Sequence, residues 1–337
     1  MIRERLPYQP SLFFFFFLSC CYVCANKVSA QVPFDTSYTV ASTYLKLLRQ
    51  HPHIKPVSDK PVANVRQVAD VVYRTLKETP FGKRDLHADI FIPSGEKKVF
   101  PAVIMVHGGG WRSGNKALNV AMAQHLALNG FVVVSIEYRL SLEAKYPAAV
   151  HDVKAAIRWA REHAQEYQIN SNKIAVAGYS AGGHLASLVG VTNEDEKFEG
   201  EVDGRKFSST VHAVVDLDGL LDFTNAESLA VKRTANSADV SWLGGFFEEV
   251  PERWKEASPI VWVDRDAPPF LFINSSQTRF HAGCSDMVHK LNQLRIYNEV
   301  HKLEDAPHSY WFFQPWFDPT MEHMTNFLNK VFNSTGG

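Results

Sequence analysis

Residues 173–183 read KIAVAGYSAGG, and no other stretch restricts the fold as strongly. An apolar run of strand type passes through Gly178-Tyr179-Ser180-Ala181-Gly182 straight into a helical segment, HLASLVG (184–190). The G-x-S-x-G spacing suits a strained strand-to-helix turn, where small neighbours let the backbone fold tightly enough to present the Ser hydroxyl. The helix N-terminus behind it supplies unpaired N–H groups and positive potential. Such a turn needs a buried strand before it and a helix after it.

The rest of the chain repeats that rhythm. Strand-like runs occur at 65–76, 84–93, 102–108, 131–140, 173–178, 212–219, 269–275 and 298–305, and helix-like segments at 116–129, 148–167, 181–190, 284–295 and 319–332. The first two strands alternate apolar and polar residues, as in a half-exposed antiparallel hairpin; the later ones are continuous apolar runs, as in a sheet covered on both faces. The expectation is an α/β fold: a twisted, mostly parallel sheet of about eight or more strands, with helices on both faces and right-handed crossovers. Residues 193–206 are charged and read as a solvated loop. Residues 220–266 interrupt the rhythm between two strands, and an insertion there can cap a site or serve as a packed connector.

The first 30 residues have a basic start, a short apolar stretch from Leu12 to Cys24, and small residues before Gln31. That is the layout of a secretory signal peptide, with Val28 and Ala30 at the cleavage site, and the apolar stretch is short for a bilayer span. Export to the periplasm or beyond is expected; lipid attachment at Cys20 is disfavoured by the Phe17-Leu18-Ser19 before it. Residues 31–64 read as a helix (39–50) and a Pro-punctuated connector, and 65–333 as the main domain. Removing the leader takes away three cations and Glu4, moving the formal charge from −1 to −3, so no basic block remains to hold nucleic acid. Of the 4 Cys, only Cys284 lies beyond the leader, which leaves no internal disulfide and no Cys cluster for a metal.

A second glycine cluster ends the third strand: His107-Gly108-Gly109-Gly110-Trp111. Glycines there let backbone N–H groups approach a ligand closely. The amides of Gly109, Gly110 and Ala181 can form an oxyanion hole, where one donor is worth about 2.7–4 kcal/mol in a transition state. No Lys-Ser/Thr follows, as a P-loop would require. His107 reads as a structural residue of that loop, and His184 as a helix-packing residue. His51 and His53 have no evident partner.

HGGGW, YRL (138–140), YPAAVHDVKAAIRWARE (146–162), GYSAGGHLA and ASPI (257–260) together resemble the α/β-hydrolase esterases, and more narrowly the bacterial carbohydrate-esterase branch labelled BD-FAE-like. The resemblance covers nearly all of residues 65–333. It implies a Ser-His-acid mechanism and no cofactor, with Ser180 as nucleophile and His308, after the last strand, as base. An imidazole can take the hydroxyl proton and return it to the leaving alcohol.

The acid departs from the family pattern. Its usual slot, a few residues after the strand FLFI (270–273), falls at about Thr278. Asp218 is the favoured replacement, at the exit of the preceding strand and beside Gly219; Asp216, Asp222, Asp286 or a bare Ser-His dyad are the alternatives, and a turn-capping Asp-Gly is the structural reading of Asp218. Asp152 reads as a packing residue.

FINSSQTRFHAG (272–283) and PHSYWFFQPWF (307–317) are similar to bacterial esterases encoded alongside, or fused to, pectin-degrading enzymes. That resemblance implies an ester substrate on pectin, methyl or acetyl, in polymer or oligosaccharide form. Arg279 and His281 can then meet substrate, Arg279 by gripping a neighbouring carboxylate. Trp111, Tyr310, Trp311 and Trp316 can stack on sugar faces, although Trp311 and Trp316 read more naturally as core.

Overall fold

The computed structural model describes Met1 and residues 32–95, 99–200 and 206–334. The expected leader therefore lies, Met1 apart, outside the described residues. Eight strands form one sheet: β1 (Val65–Leu76), β2 (Arg84–Pro93), β3 (Phe100–Val106), β4 (Val132–Ile136), β5 (Ile169–Tyr179), β6 (Ala213–Leu217), β7 (Phe270–Asn274) and β8 (Asn298–Lys302). Their order is β1-β2-β4-β3-β5-β6-β7-β8. The β1–β2 and β2–β4 pairs are antiparallel and every other pair is parallel.

Alternation along the central strands explains their unbroken apolar runs. Ile104, Val106, Val134, Val176 and Phe272 face one core, packed with α3 (Ala148–Glu162), α4 (Ala181–Val191) and α5 (Cys284–Gln293). Val103, Met105, Val133, Ala177, Leu217 and Ile273 face the other, packed with α2 (Val120–Leu128) and α6 (Phe317–Ser334). Both faces are covered, so both registers of side chains are mainly apolar, and the buried exceptions Ser135 and Asp216 are hydrogen-bonded to Asn119 and Ser187. β1 is half-exposed as its pattern predicts, but β2 is mostly buried, because its side chains enter both cores, Leu86, Ala88, Ile90 and Ile92 on one face and Phe91 on the other. β4 stops at Ile136 rather than running to 140: beyond it the Tyr138 hydroxyl donates to the His107 carbonyl, and the Arg139 guanidinium forks onto the fully buried Asp152 carboxylate. Asp152 also takes Arg74, so it is an ion-paired packing residue.

Before β1, a helix at Val40–Leu47 begins at a Thr39–Ser42 capping box, and Lys55–Pro56 pairs antiparallel with Phe313–Gln314. The 220–266 segment folds into short helices at Ala226–Leu229, Ala238–Leu243, Pro251–Glu256 and Pro259–Trp262. It packs onto the α4 side of the sheet through Phe223, Trp242 and Trp254, all fully buried.

Registers fix where function can sit. Val106 pairs with Gly178, Tyr179 with Leu217, and Leu217 with Ile273. The residues that follow these ends, His107–Gly110, Ser180, Asp218 and Ser275, therefore leave the sheet along one rim. In open α/β sheets that rim is where ligands bind.

Candidate active site

Ser180 sits between β5 and α4 at φ 53°, ψ −123°, a strained conformation for a non-Gly residue. Its neighbours show why they are glycine. A Cβ on Gly178 would lie 2.2 Å from the Gly182 carbonyl oxygen, and one on Gly182 would lie 2.1 Å from that of Val106. The Ser180 N–H donates to the Leu217 carbonyl, at 2.8 Å, which locks the turn to β6.

His308 follows β8. Its Nε2 lies 2.9 Å from Ser180 Oγ and its Nδ1 lies 2.6 Å from Asp218 Oδ2. A carboxylate only accepts, so Nδ1 carries the proton and Nε2 presents its lone pair to the hydroxyl. Phe280 stacks on the imidazole at 3.5 Å and 7°, and Trp311 meets it edge-on at 5.0 Å. These contacts hold the ring plane.

Asp218 lies just past β6 at φ 57°, and that left-handed turn carries its carboxylate over the end of β7. It accepts from Ser275 N (3.0 Å), Ser275 Oγ (2.7 Å), His281 Nδ1 (2.7 Å) and His308 Nδ1. Burial works to raise its pKa, but the bonds from His281, His308 and Ser275 outweigh it and hold the carboxyl well below the usual range, as expected of a carboxylate with several donors. The alternative acids are engaged elsewhere. Asp216 takes Ser187 Oγ and the Gly219 N–H, so the turn-capping role belongs to it rather than to Asp218. Burial, with the charge of Asp218 adding, raises Asp216 to about 7. Asp222 caps Thr224, Asp286 takes the Asn225 amide, and Thr278 bonds Glu227.

A cleft of about 300 Å³ opens over Ser180 and includes Gly110, Trp111, Ala181, Asp218, Arg279 and Phe280. The 220–266 segment forms its far wall with Leu220, Ser228, Val231, Arg233, Ala238 and Asp239. Gly110 and Ala181 thus border the cleft beside the nucleophile, and the Ala181 amide, at the first turn of α4, has no helical partner. Gly109, at φ 119°, is mainly a turn residue, its carbonyl accepting from Arg112 N, Ser113 N and Ser113 Oγ. Arg279 is exposed on the rim, its guanidinium 4.3 Å from the centre of the Phe280 ring.

Three sequence expectations need correction. His281 does not offer Nδ1 to substrate, because Asp218 takes it. Trp111 borders the cleft but is buried: one ring face lies flat on Trp242 at 4.9 Å and 14°, Phe223 packs against the ring, and its N–H donates to His184 Nδ1. Tyr310 is fully buried, with its hydroxyl on the Ile273 carbonyl; Trp311 and Trp316 are core as well. The histidines read as structural are buried, and burial lowers both His107 and His184 to about 4. His184 ties the glycine loop to the inserted segment through Trp111 and the Ala257 carbonyl. Ser275 and Phe280 escaped sequence reasoning. The signal for Ser275 was its place one residue beyond the β7 end that pairs beside Asp218.

Serine, imidazole and buried carboxylate in this order can turn a hydroxyl into a nucleophile, with amides beside it to receive a developing oxyanion. The BD-FAE family profile matches residues 88–280. Esterase LipC of Mycobacterium tuberculosis is 37% identical over 181 residues, covering 53% of this chain and 45% of that protein; the chain spans under half the length of such curated relatives. Among solved structures, a truncated carbohydrate esterase from gut microbiota superposes with a TM-score of 0.71 at 26% identity, covering 82% of this chain and 99% of the other. A bifunctional GH43-CE protein of Bacteroides eggerthii gives 0.68 at 29% identity, covering 81% and 39%. The α/β-hydrolase sheet, the elbow carrying Ser180 and the profile match over more than half its length place this chain in the BD-FAE family.

Proposed function

We propose that this chain is an exported serine esterase that removes methyl esters from galacturonate residues of pectin. The observation that carries the chemistry is the connected set Ser180–His308–Asp218, at 2.9 and 2.6 Å. In the reaction, Ser180 Oγ attacks the ester carbonyl while His308 Nε2 takes its proton. The Gly110 and Ala181 amides, with Gly109, receive the oxyanion, and the imidazolium protonates departing methanol. Galacturonate then stays bonded to Ser180 until water, deprotonated by His308, releases it. The family likeness and the carbohydrate-esterase neighbours support the ester and sugar parts of this reading.

The choice of a uronate rests on Arg279. Arg233, the other cleft arginine, is bound to Asp239 and Ser228. Arg279 borders the cleft on the exposed rim, and among the described residues no carboxylate pairs with it. A partly methylated pectin chain brings free carboxylates next to the ester, and a guanidinium suits them. The leader belongs to the same reading, since an enzyme acting on plant cell-wall polymer must meet it outside the cell.

The test is to incubate the protein with methylated and with acetylated pectin and to measure released methanol and acetate. Methanol release is expected. Acetate alone would move the assignment to an acetylesterase, and release of neither, with cleavage of a feruloyl or acetyl-xylan ester, would overturn the pectin reading. A non-catalytic sugar-binding module would hydrolyse none of these.

A further inference from the structure

Asp218 is bonded to two histidines, and the mechanism uses only one. Its Oδ2 holds His308 at 2.6 Å, while its Oδ1 holds His281 Nδ1 at 2.7 Å. His281 is no incidental neighbour. It ends a single 3-10 turn, Thr278–His281, in the loop after β7, and the backbone on its far side is pinned. The Ala282 carbonyl accepts from the N–H groups of Leu221 and Asp222, just downstream of Asp218. Gly283 follows at φ 86°, where a Cβ would lie 2.6 Å from that of Asp222. The same turn lays Phe280 flat on His308. A loop without a carboxylate of its own thus reaches the triad from two sides.

We propose that His281 is a positioning residue of the active site, donating Nδ1–H to Asp218 so that the carboxylate stays aimed at His308 in one orientation and one charge state. The proposal rests on the reading of Ser180, His308 and Asp218 as the reacting set. Chemically, Oδ1 is the oxygen that His308 leaves free. With only the Ser275 amide on it, the carboxylate would hold fewer of its preferred donors, and its negative charge would be less shared. His281 takes that place, so less of the anion's field falls on His308.

Among the described residues few titratable groups surround His281. Asp218 is in contact, with His308 on its other oxygen; Asp216 lies two residues before Asp218, occupied by Ser187 Oγ and the Gly219 N–H. Glu227, Asp286 and Cys284 line, with His281, a separate cavity of about 430 Å³ behind the loop. Arg279 stands two residues earlier on the cleft side. None of these supplies a second donor to Oδ1, so no neighbour replaces His281 when it is removed.

Two variants separate donation from mere filling. His281→Asn carries an N–H donor at about the position of Nδ1; His281→Leu fills similar space with none. A hydrogen bond to a buried charge justifies an expectation of roughly ten- to a hundredfold loss of kcat in His281→Leu, with KM little changed. The acid limb of the kcat/KM profile should move to higher pH in that variant, because an Asp218 with one donor fewer favours the protonated His308. His281→Asn should stay within about threefold of the parent and keep its pH profile. A readout independent of turnover is the low-field proton spectrum of 15N-labelled protein. Two imidazole Nδ1–H signals bonded to carboxylate are expected in the parent, one in His281→Asn, and none in Asp218→Asn. The proposal is overturned by a His281→Leu enzyme with parental kcat and pH profile. Equal losses in both variants also overturn it, since packing would then explain the effect. A spectrum with no signal that depends on His281 does the same. Parent protein inactive on every ester, yet with both low-field signals, would sink the esterase reading while leaving the Asp218–His281 bond established.

Discussion

Asp218→Asn is the perturbation with the most calculable outcome. The carboxylate is fully buried in its side chain, and all its partners are donors: Ser275 N, Ser275 Oγ, His281 Nδ1 and His308 Nδ1. An amide keeps the shape but replaces one accepting oxygen by an NH2. With the amide oxygen left on Ser275 N and His281, the NH2 faces Ser275 Oγ and His308. The Ser275 hydroxyl can rotate to accept. His308 can accept only by moving its proton to Nε2, the nitrogen that must receive the Ser180 proton. The fold therefore survives, while the base is held in the wrong tautomer. In the template where this step has been isolated the loss in kcat is about 10⁴-fold, or about 5.4 kcal/mol of transition-state stabilisation. The assay is initial-rate hydrolysis of a small activated ester and of methylated pectin, with a thermal melt on the same samples. A melt near the parent's with kcat down by about four decades is expected. Activity within tenfold of the parent would refute the reasoning and reopen a Ser-His dyad.

Two further predictions use neighbouring residues. Arg279→Ala should raise KM for methylated pectin roughly tenfold, leave hydrolysis of a small uncharged ester unchanged, and remove the salt sensitivity of pectin binding; equal KM values on pectin would remove Arg279 from the site. Asp216, raised by burial to about 7 from about 3.9 in an unfolded chain, contributes stability that is complete below pH about 4 and lost as pH rises to about 7. The loss is on the order of 4 kcal/mol at most. Asp216→Asn should flatten that slope in denaturant melts taken across pH 4–8 with little change in activity at pH 6, and an unchanged slope would place the titration elsewhere.

Much of the fold was legible because burial on both faces writes itself as continuous apolar runs. The runs at 270–273 and 213–217 are strands that read as nothing else once bounded by polar loops. Ser180 was legible for a local reason, since the glycines around it are demanded by backbone atoms within the same turn and the adjacent strand. His308 was legible only through the family resemblance, which implies a base after the last strand. The acid was harder. Strand alternation relates Asp216 to Asp218, but the chain leaves β6 at Leu217, and the positive φ at Asp218 rather than the pleat aims its carboxylate at Ser275. His281 and Trp111 were misread because each is claimed by a residue distant in sequence, Asp218 and Trp242. A loop residue's type reveals that it can bond or stack, while its partner depends on how separate elements meet.

The most direct test of the account is labelling with a small organophosphonate followed by peptide mass spectrometry. One phosphonyl group on Ser180 is expected. It should be lost in Ser180→Ala and slowed by at least a hundredfold in His308→Ala, because the hydroxyl depends on Nε2 to become a nucleophile. A parent protein that takes up no label, or labels at Ser180 equally fast without His308, would contradict the account.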